Sequence, residues 1–179
     1  MRYLLILLLS VNIYANMTNT LLELYKDGKY KQVCKKGFDY FQKYKRDEKF
    51  ISIYAFGCLK SDYIDRLVVP IAALKRSKEA RANATYFSVI LMQKKMLYQA
   101  LVDNYEIKDL KLPTTNYVLS KVFDMYVQNQ ETGKKFYIFQ DKENKDLKYK
   151  LYILKNRKLS KMIIEEYLNN KRIKQHIYW

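Results

Sequence analysis

Few side chains in this 179-residue sequence have the types that do chemistry, and their spacing limits what they could do. A serine or cysteine nucleophile needs a base, usually histidine. The single histidine, His176, sits near the end of a basic stretch, "NKRIKQHIYW", and reads there as a solvated surface residue. No GxSxG stretch accompanies it. One histidine and two distant cysteines do not make a metal site. The glycines, at positions 28, 37, 57 and 133, are too far apart for a phosphate loop or a dinucleotide fingerprint, so no cofactor is expected. Glu165 and Glu166 suggest the carboxylate pair of a glycosidase. Read as helix neighbours, however, they point about 100° apart and belong to an exposed face. A small cell-wall-acting enzyme is therefore a minor reading, and the main one is non-enzymatic.

The remaining chemistry is a disulfide. Met1-Arg2-Tyr3, the run "LLILLLSV" and then "NIYAN" have the layout of a secretory signal peptide over residues 1–15, with cleavage after Ala15. The run is too short for a permanent span, and no later segment reaches roughly 18 consecutive apolar residues. A retained N-terminal anchor is the alternative; no Cys follows the run to carry a lipid. Export places Cys34 and Cys58 in an oxidising compartment, where a lone pair tends to be joined. The bond would close a 24-residue separation and contribute roughly 3 kcal/mol. The expected location is the periplasm.

Four Gly and two Pro are too few for the turns of an all-β chain, so the expected fold class is all-α. Phe50, Ile53, Tyr54, Gly57 and Cys58 form one helical stripe, and Tyr63, Leu67, Ile71 and Leu74 form a second. Ser61 and Asp62 between them suit a helix cap. Leu21, Leu24 and Tyr25 end an earlier helix, Gly28 turns, and Tyr30, Val33 and Cys34 begin the next. The first large apolar residues after successive turns are Tyr30, Tyr63 and Leu97, at steps of 33 and 34. Leu159 in "KNRKLSKMI" repeats the pattern. An intervening unit is read as helices at Tyr117–Gln130 and Lys134–Gln140, turned by Gly133.

On these residues the chain resembles the tetratricopeptide-type helical repeats over residues 17–104 and again from 114 to 171. It departs from the family pattern at the small position, filled only by Ala100 and otherwise by Val33, Arg66 and Met162, and at Pro70, which would kink a second helix. The resemblance implies a short right-handed solenoid of four to five helix–turn–helix units, with the disulfide stapling neighbours. The expected organisation is a signal peptide (1–15), helical repeats (16–104), a divergent continuation (105–171) and a basic, aromatic tail (172–179). A β-hairpin over 134–154 is the competing local reading, because Tyr149, Leu151 and Ile153 alternate while Leu147, Leu151 and Leu154 keep helical spacing.

The formal net charge of +16 favours acidic partners or reflects lysines on solvated faces. Lys75, Arg76, Lys78 and Arg81 gather at one link as a candidate binding cluster. Tyr178 and Trp179 either cap the last repeat or anchor a partner. The tyrosines follow helical stripes, which argues against stacking platforms for nucleic acid. A solenoid implies a concave face for other periplasmic or envelope proteins. The functional expectation is thus a periplasmic scaffold in an envelope assembly, with the flagellar motor weakly favoured. A module for acidic envelope polymer or lipid is the alternative.

Overall fold

A computed structural model of the chain describes residues 16–108, 110–129 and 133–179. The expected signal peptide and its cleavage site at Ala15 lie outside the described residues, as does Gln130. Among the described residues no helix is long and apolar enough to cross a membrane.

The first three helices follow the local signals. α1 (Met17–Lys26) is capped by Asn16, whose Oδ1 accepts the Thr18 N–H at 3.1 Å. Gly28, at φ +72°, makes the turn, and α2 (Tyr30–Tyr44) starts at Tyr30, whose ring meets Tyr25 edge-on at 5.0 Å. α3 (Glu48–Lys60) is capped by Asp47, whose Oδ1 accepts the Lys49 and Phe50 N–H groups while its Oδ2 takes the Thr18 hydroxyl at 2.7 Å. α2 and α3 lie close enough that a Cβ on Gly37 would fall 2.3 Å from Cδ2 of Tyr54. Across this contact Cys34 and Cys58 form the expected disulfide.

Beyond α3 the repeat plan ends. Tyr63 precedes a 3-10 turn (Ile64–Leu67) and the short α4 (Val68–Ala73), not a full second helix. Pro70 stands in the first turn of α4, where its missing N–H costs nothing. α5 (Lys78–Asp103) runs unbroken for 26 residues, so Leu97 lies deep within a helix and marks no elbow. It is capped by the Ser77 hydroxyl and closed by Asn104 in the left-handed conformation. The next helix is α6 (Val118–Gln128).

The all-α solenoid is overturned by the remainder of the chain, which is a four-stranded antiparallel sheet in the order β1-β2-β3-β4. Its strands are β1 (Phe136–Gln140), β2 (Leu147–Leu154), β3 (Lys161–Leu168) and β4 (Lys171–Tyr178). Lys134–Gln140 is therefore no second helix, the alternating reading of Tyr149, Leu151 and Ile153 wins, and the 172–179 tail is a strand. Gly133, at φ +76°, leads into β1, and Leu159 lies half-exposed in the β2–β3 link. The scarcity of glycine misled because asparagine takes its place. Asn169 and Asn170 both hold positive φ, 49° and 63°, in the two-residue turn joining β3 to β4. Short polar side chains tolerate that region and suit the tight hairpin turn.

One face of the sheet enters the core. Tyr137, Phe139, Tyr149, Leu151, Met162, Ile164 and Tyr178 join Leu119, Val122, Phe123 and Tyr126 of α6 and Leu97 and Ala100 of α5 in a single apolar cluster. The Tyr126 and Tyr137 rings meet edge-on at 5.0 Å.

Candidate functional site

The residues singled out by sequence do not converge. Gly28 and Tyr30 form one turn, Tyr63 follows α3, and Leu97, Gly133 and Leu159 belong to a helix core, a strand entry and a loop. The basic link is internally organised. The Glu48 carboxylate accepts the N–H groups of Lys75, Arg76 and Ser77 at 3.1, 2.6 and 2.9 Å. Those donors, Arg76 foremost, hold the Glu48 carboxyl down at about 2. Arg81 turns back on the Arg76 carbonyl at 2.6 Å, so its guanidinium serves the link. Lys75 and Arg76 remain exposed beside Lys45 and Arg46, around a shallow cleft of about 290 Å³. Lys78 is exposed at the start of α5. Tyr178 is buried and Trp179 half-exposed, its carbonyl oxygen contacted by the buried ammonium of Lys94. Lys94 also pairs with Asp65 at 2.9 Å.

Three clusters went unseen in the sequence. The first joins the helices to the sheet. Asp62, held at φ 65° after α3, receives the Tyr117 hydroxyl at 2.8 Å and the Tyr178 hydroxyl at 3.3 Å. His176 of β4, expected on the surface, is only 1% exposed; its Nδ1 lies 2.8 Å from Asp62 and its Nε2 2.8 Å from Glu166 of β3. A carboxylate on each side favours the imidazolium, in which both ring nitrogens donate. Burial opposes that charge, but the two hydrogen bonds and the Asp62 charge outweigh it and raise the His176 pKa. The same His176 bond lowers that of Glu166. Burial pushes both phenols, Tyr117 and Tyr178, well above 10. The cluster has acid and base groups side by side, tied to one another by hydrogen bonds that join α3, α6 and the sheet.

The second cluster is the outer face of the sheet. Glu165 and Glu166 are strand neighbours and point to opposite faces, which corrects the exposed-helix reading. Glu165, nominally on the solvent side, is buried under Arg172 (2.7 Å), Tyr167 (2.9 Å) and Gln175 (3.1 Å), with Tyr152 at 3.4 Å. Burial would raise its pKa, but these donors lower it. Beside it runs an apolar row, because the register aligns Phe136 with Tyr152, Tyr152 with Ile163 and Ile163 with Ile177 across all four strands. Ile163 is 3% exposed although it lies outside the main core. Towards β1 the row opens: Phe136 is 49% and Ile138 61% exposed, and Leu154 is exposed on the same face of β2. Lys150 lies over the Phe136 and Tyr152 rings at 5.2 and 5.3 Å. The alternation of "FYIFQ" and "KYKLYIL" was the signal that could have revealed this face.

A third polar knot fastens the β1–β2 turn. Asp141 accepts the N–H groups of Glu143 and Asn144, the Tyr149 hydroxyl at 2.6 Å and Lys121 at 3.2 Å. Against the effect of burial these lower its pKa to about 2. It borders a cleft of about 380 Å³ with Thr114, Asp124 and Lys142. Among the described residues no group of three or more His, Cys, Asp or Glu is placed to hold a metal.

Comparison with protein-family models, with curated proteins and with solved structures found no match.

Proposed function

We propose that this protein is an exported, non-enzymatic adaptor that holds other proteins in a cell-envelope assembly. The observation that carries the reading is the apolar row on the outer face of the sheet, opening at Phe136, Ile138 and Leu154 with lysines beside it. A contiguous apolar surface rimmed by charge marks an interaction site. The polar groups buried at the sheet are spent in internal pairings: His176 with Asp62 and Glu166, and Asp141 with Lys121 and Tyr149, fix the sheet to the helices, while Glu165 is bonded within the sheet. That arrangement supports rigidity more than turnover. The disulfide supports a working place in an oxidising compartment, which for a chain with the expected leader is the periplasm.

The test is a cross-linked pull-down of the tagged protein from intact envelopes, washed at high salt, alongside the Phe136→Glu variant. Recovery of the components of one machine by the wild-type chain, and their loss from the variant, establishes the adaptor; flagellar motor components would name that assembly. Recovery of lipid or polysaccharide alone, released by salt, overturns it. A second reading, binding of acidic envelope polymer, draws on Lys45 and Arg46 beside Lys75 and Arg76. Salt screening would weaken that contact steeply, unlike an apolar one.

A further inference from the structure

The two edges of the sheet are built differently. β4 carries Lys171, Arg172 and Lys174 on exposed positions, and its pairing with β3 is broken by an irregularity at Glu166/Tyr167. Charges and bulges of this kind keep a free edge from pairing with another chain. β1, the opposite edge, reads "FYIFQ": no charge, no proline, and two large apolar side chains in solvent. The Asp141 N–H donates to the Leu147 carbonyl at 2.9 Å, which fixes the phase of the ladder. With the two-residue alternation of antiparallel pairing, Tyr137 and Phe139 face β2 with their N–H and C=O groups, and Phe136, Ile138 and Gln140 face the free edge. A groove of about 500 Å³ follows this edge, lined by Asn129, Lys134, Lys135, Phe136, Tyr137 and Ile138.

We infer that β1 accepts an extended, acidic segment of a partner protein as a fifth strand. This rests on the adaptor reading and specifies its mode. Main-chain bonds to Phe136, Ile138 and Gln140 would supply affinity, and alternate apolar side chains of the segment would lie on Phe136 and Ile138. Charge chooses the occupant. Lys135 lines the groove, and Lys150, opposite Ile138, lays its ammonium over the Phe136 ring at 5.2 Å, so the edge is flanked by positive charge. A second copy laid antiparallel on β1 would bring the same lysines alongside these, in a chain of net charge +16. An acidic segment meets complementary charge instead.

The probe is a fluorescein-labelled ten-residue peptide alternating Glu and Val, titrated by anisotropy into the disulfide-bonded chain at physiological salt. Four controls accompany it: the peptide with alternate amides N-methylated, the same peptide with Lys for Glu, and two protein variants. Ile138→Pro removes an N–H aimed at the free edge without touching the β1–β2 ladder, and Ile138→Glu keeps the backbone and repels the peptide. Binding that weakens tenfold or more with N-methylation, with Lys for Glu and in both variants is the expected result; Ile138→Glu decides if the Pro variant melts early. No binding, or equal binding of the N-methylated peptide, overturns strand addition. Wild-type dimerisation in sedimentation, abolished in Ile138→Glu, would make a second copy the occupant and overturn the acidic-segment proposal. If envelope partners still cross-link to both Ile138 variants through high salt, the edge proposal fails and the adaptor stands; if the wild-type chain captures none, the adaptor itself fails.

Discussion

Replacing His176 with Gln should loosen the join between helices and sheet in a pH-dependent way. In the native protein its two ring nitrogens lie 2.8 Å from carboxylates whose side chains are each only 18% exposed. Removing one member of a buried ionic group leaves its partners uncompensated, at a cost of about 3–5 kcal/mol. At about 2–4 °C per kcal/mol for a chain of this length, melting should fall by roughly 6–20 °C. The folded His176 pKa is raised above 6.5, so its stabilisation is complete below that value and is lost as pH rises through the folded one. Glu166 is lowered below 4.5, so its share is present above 4.5 and lost as pH falls through the folded value. The penalty of His176→Gln should therefore be greatest between these limits. It should shrink in alkali by about 1.4 kcal/mol for each pH unit by which the folded histidine stands above the unfolded one. Urea unfolding at pH 5.5 and pH 9, followed by far-ultraviolet circular dichroism, measures it. A difference between variant and wild type that is the same at both pH values would refute a charged His176. A difference under about 1 kcal/mol at pH 5.5 would refute the join altogether.

Replacing Cys34 and Cys58 together with Ser should lower the unfolding free energy by roughly 3 kcal/mol, from the 24-residue separation they close. Calorimetry showing less than about 1 kcal/mol would place the tightness of the α2–α3 contact elsewhere. Gly37→Ala drives a Cβ to 2.3 Å from the Tyr54 ring. Overpacking there should cost about 1–3 kcal/mol, and a variant that melts at or above the wild-type temperature would contradict the close approach.

From α1 to α3 the helix and turn signals were reliable because they are local. Gly28 at its turn and the apolar stripe of α3 depend on neighbours within one or two turns of helix. The 33- and 34-residue steps were not a structural period. Leu97 keeps step with Tyr63 by position while one lies in a continuous helix and the other in a turn. Pro70 was the local objection to a second helix, and the chain answers it by starting α4 two residues earlier. In the second half, the helix-and-strand ambiguity of "LKYKLYILK" was decided by pairing with β1 and β3, which no window of sequence contains.

By itself the sequence determined an oxidisable cysteine pair, a strong excess of basic residues and the Gly28 turn between the first two helices. Only the tertiary structure decided what the polar residues are for. His176 looks like a surface residue because one partner, Asp62, is 114 positions away, and Glu166 because its partner is that same His176 across the β3–β4 hairpin; Glu165 is buried by neighbours that strand pairing supplies. Charge and periodicity are properties of a segment. Burial, the protonation state of the imidazole and the open edge of β1 depend on which segments meet, and the physics that fixes them begins only when the sheet closes on the helices.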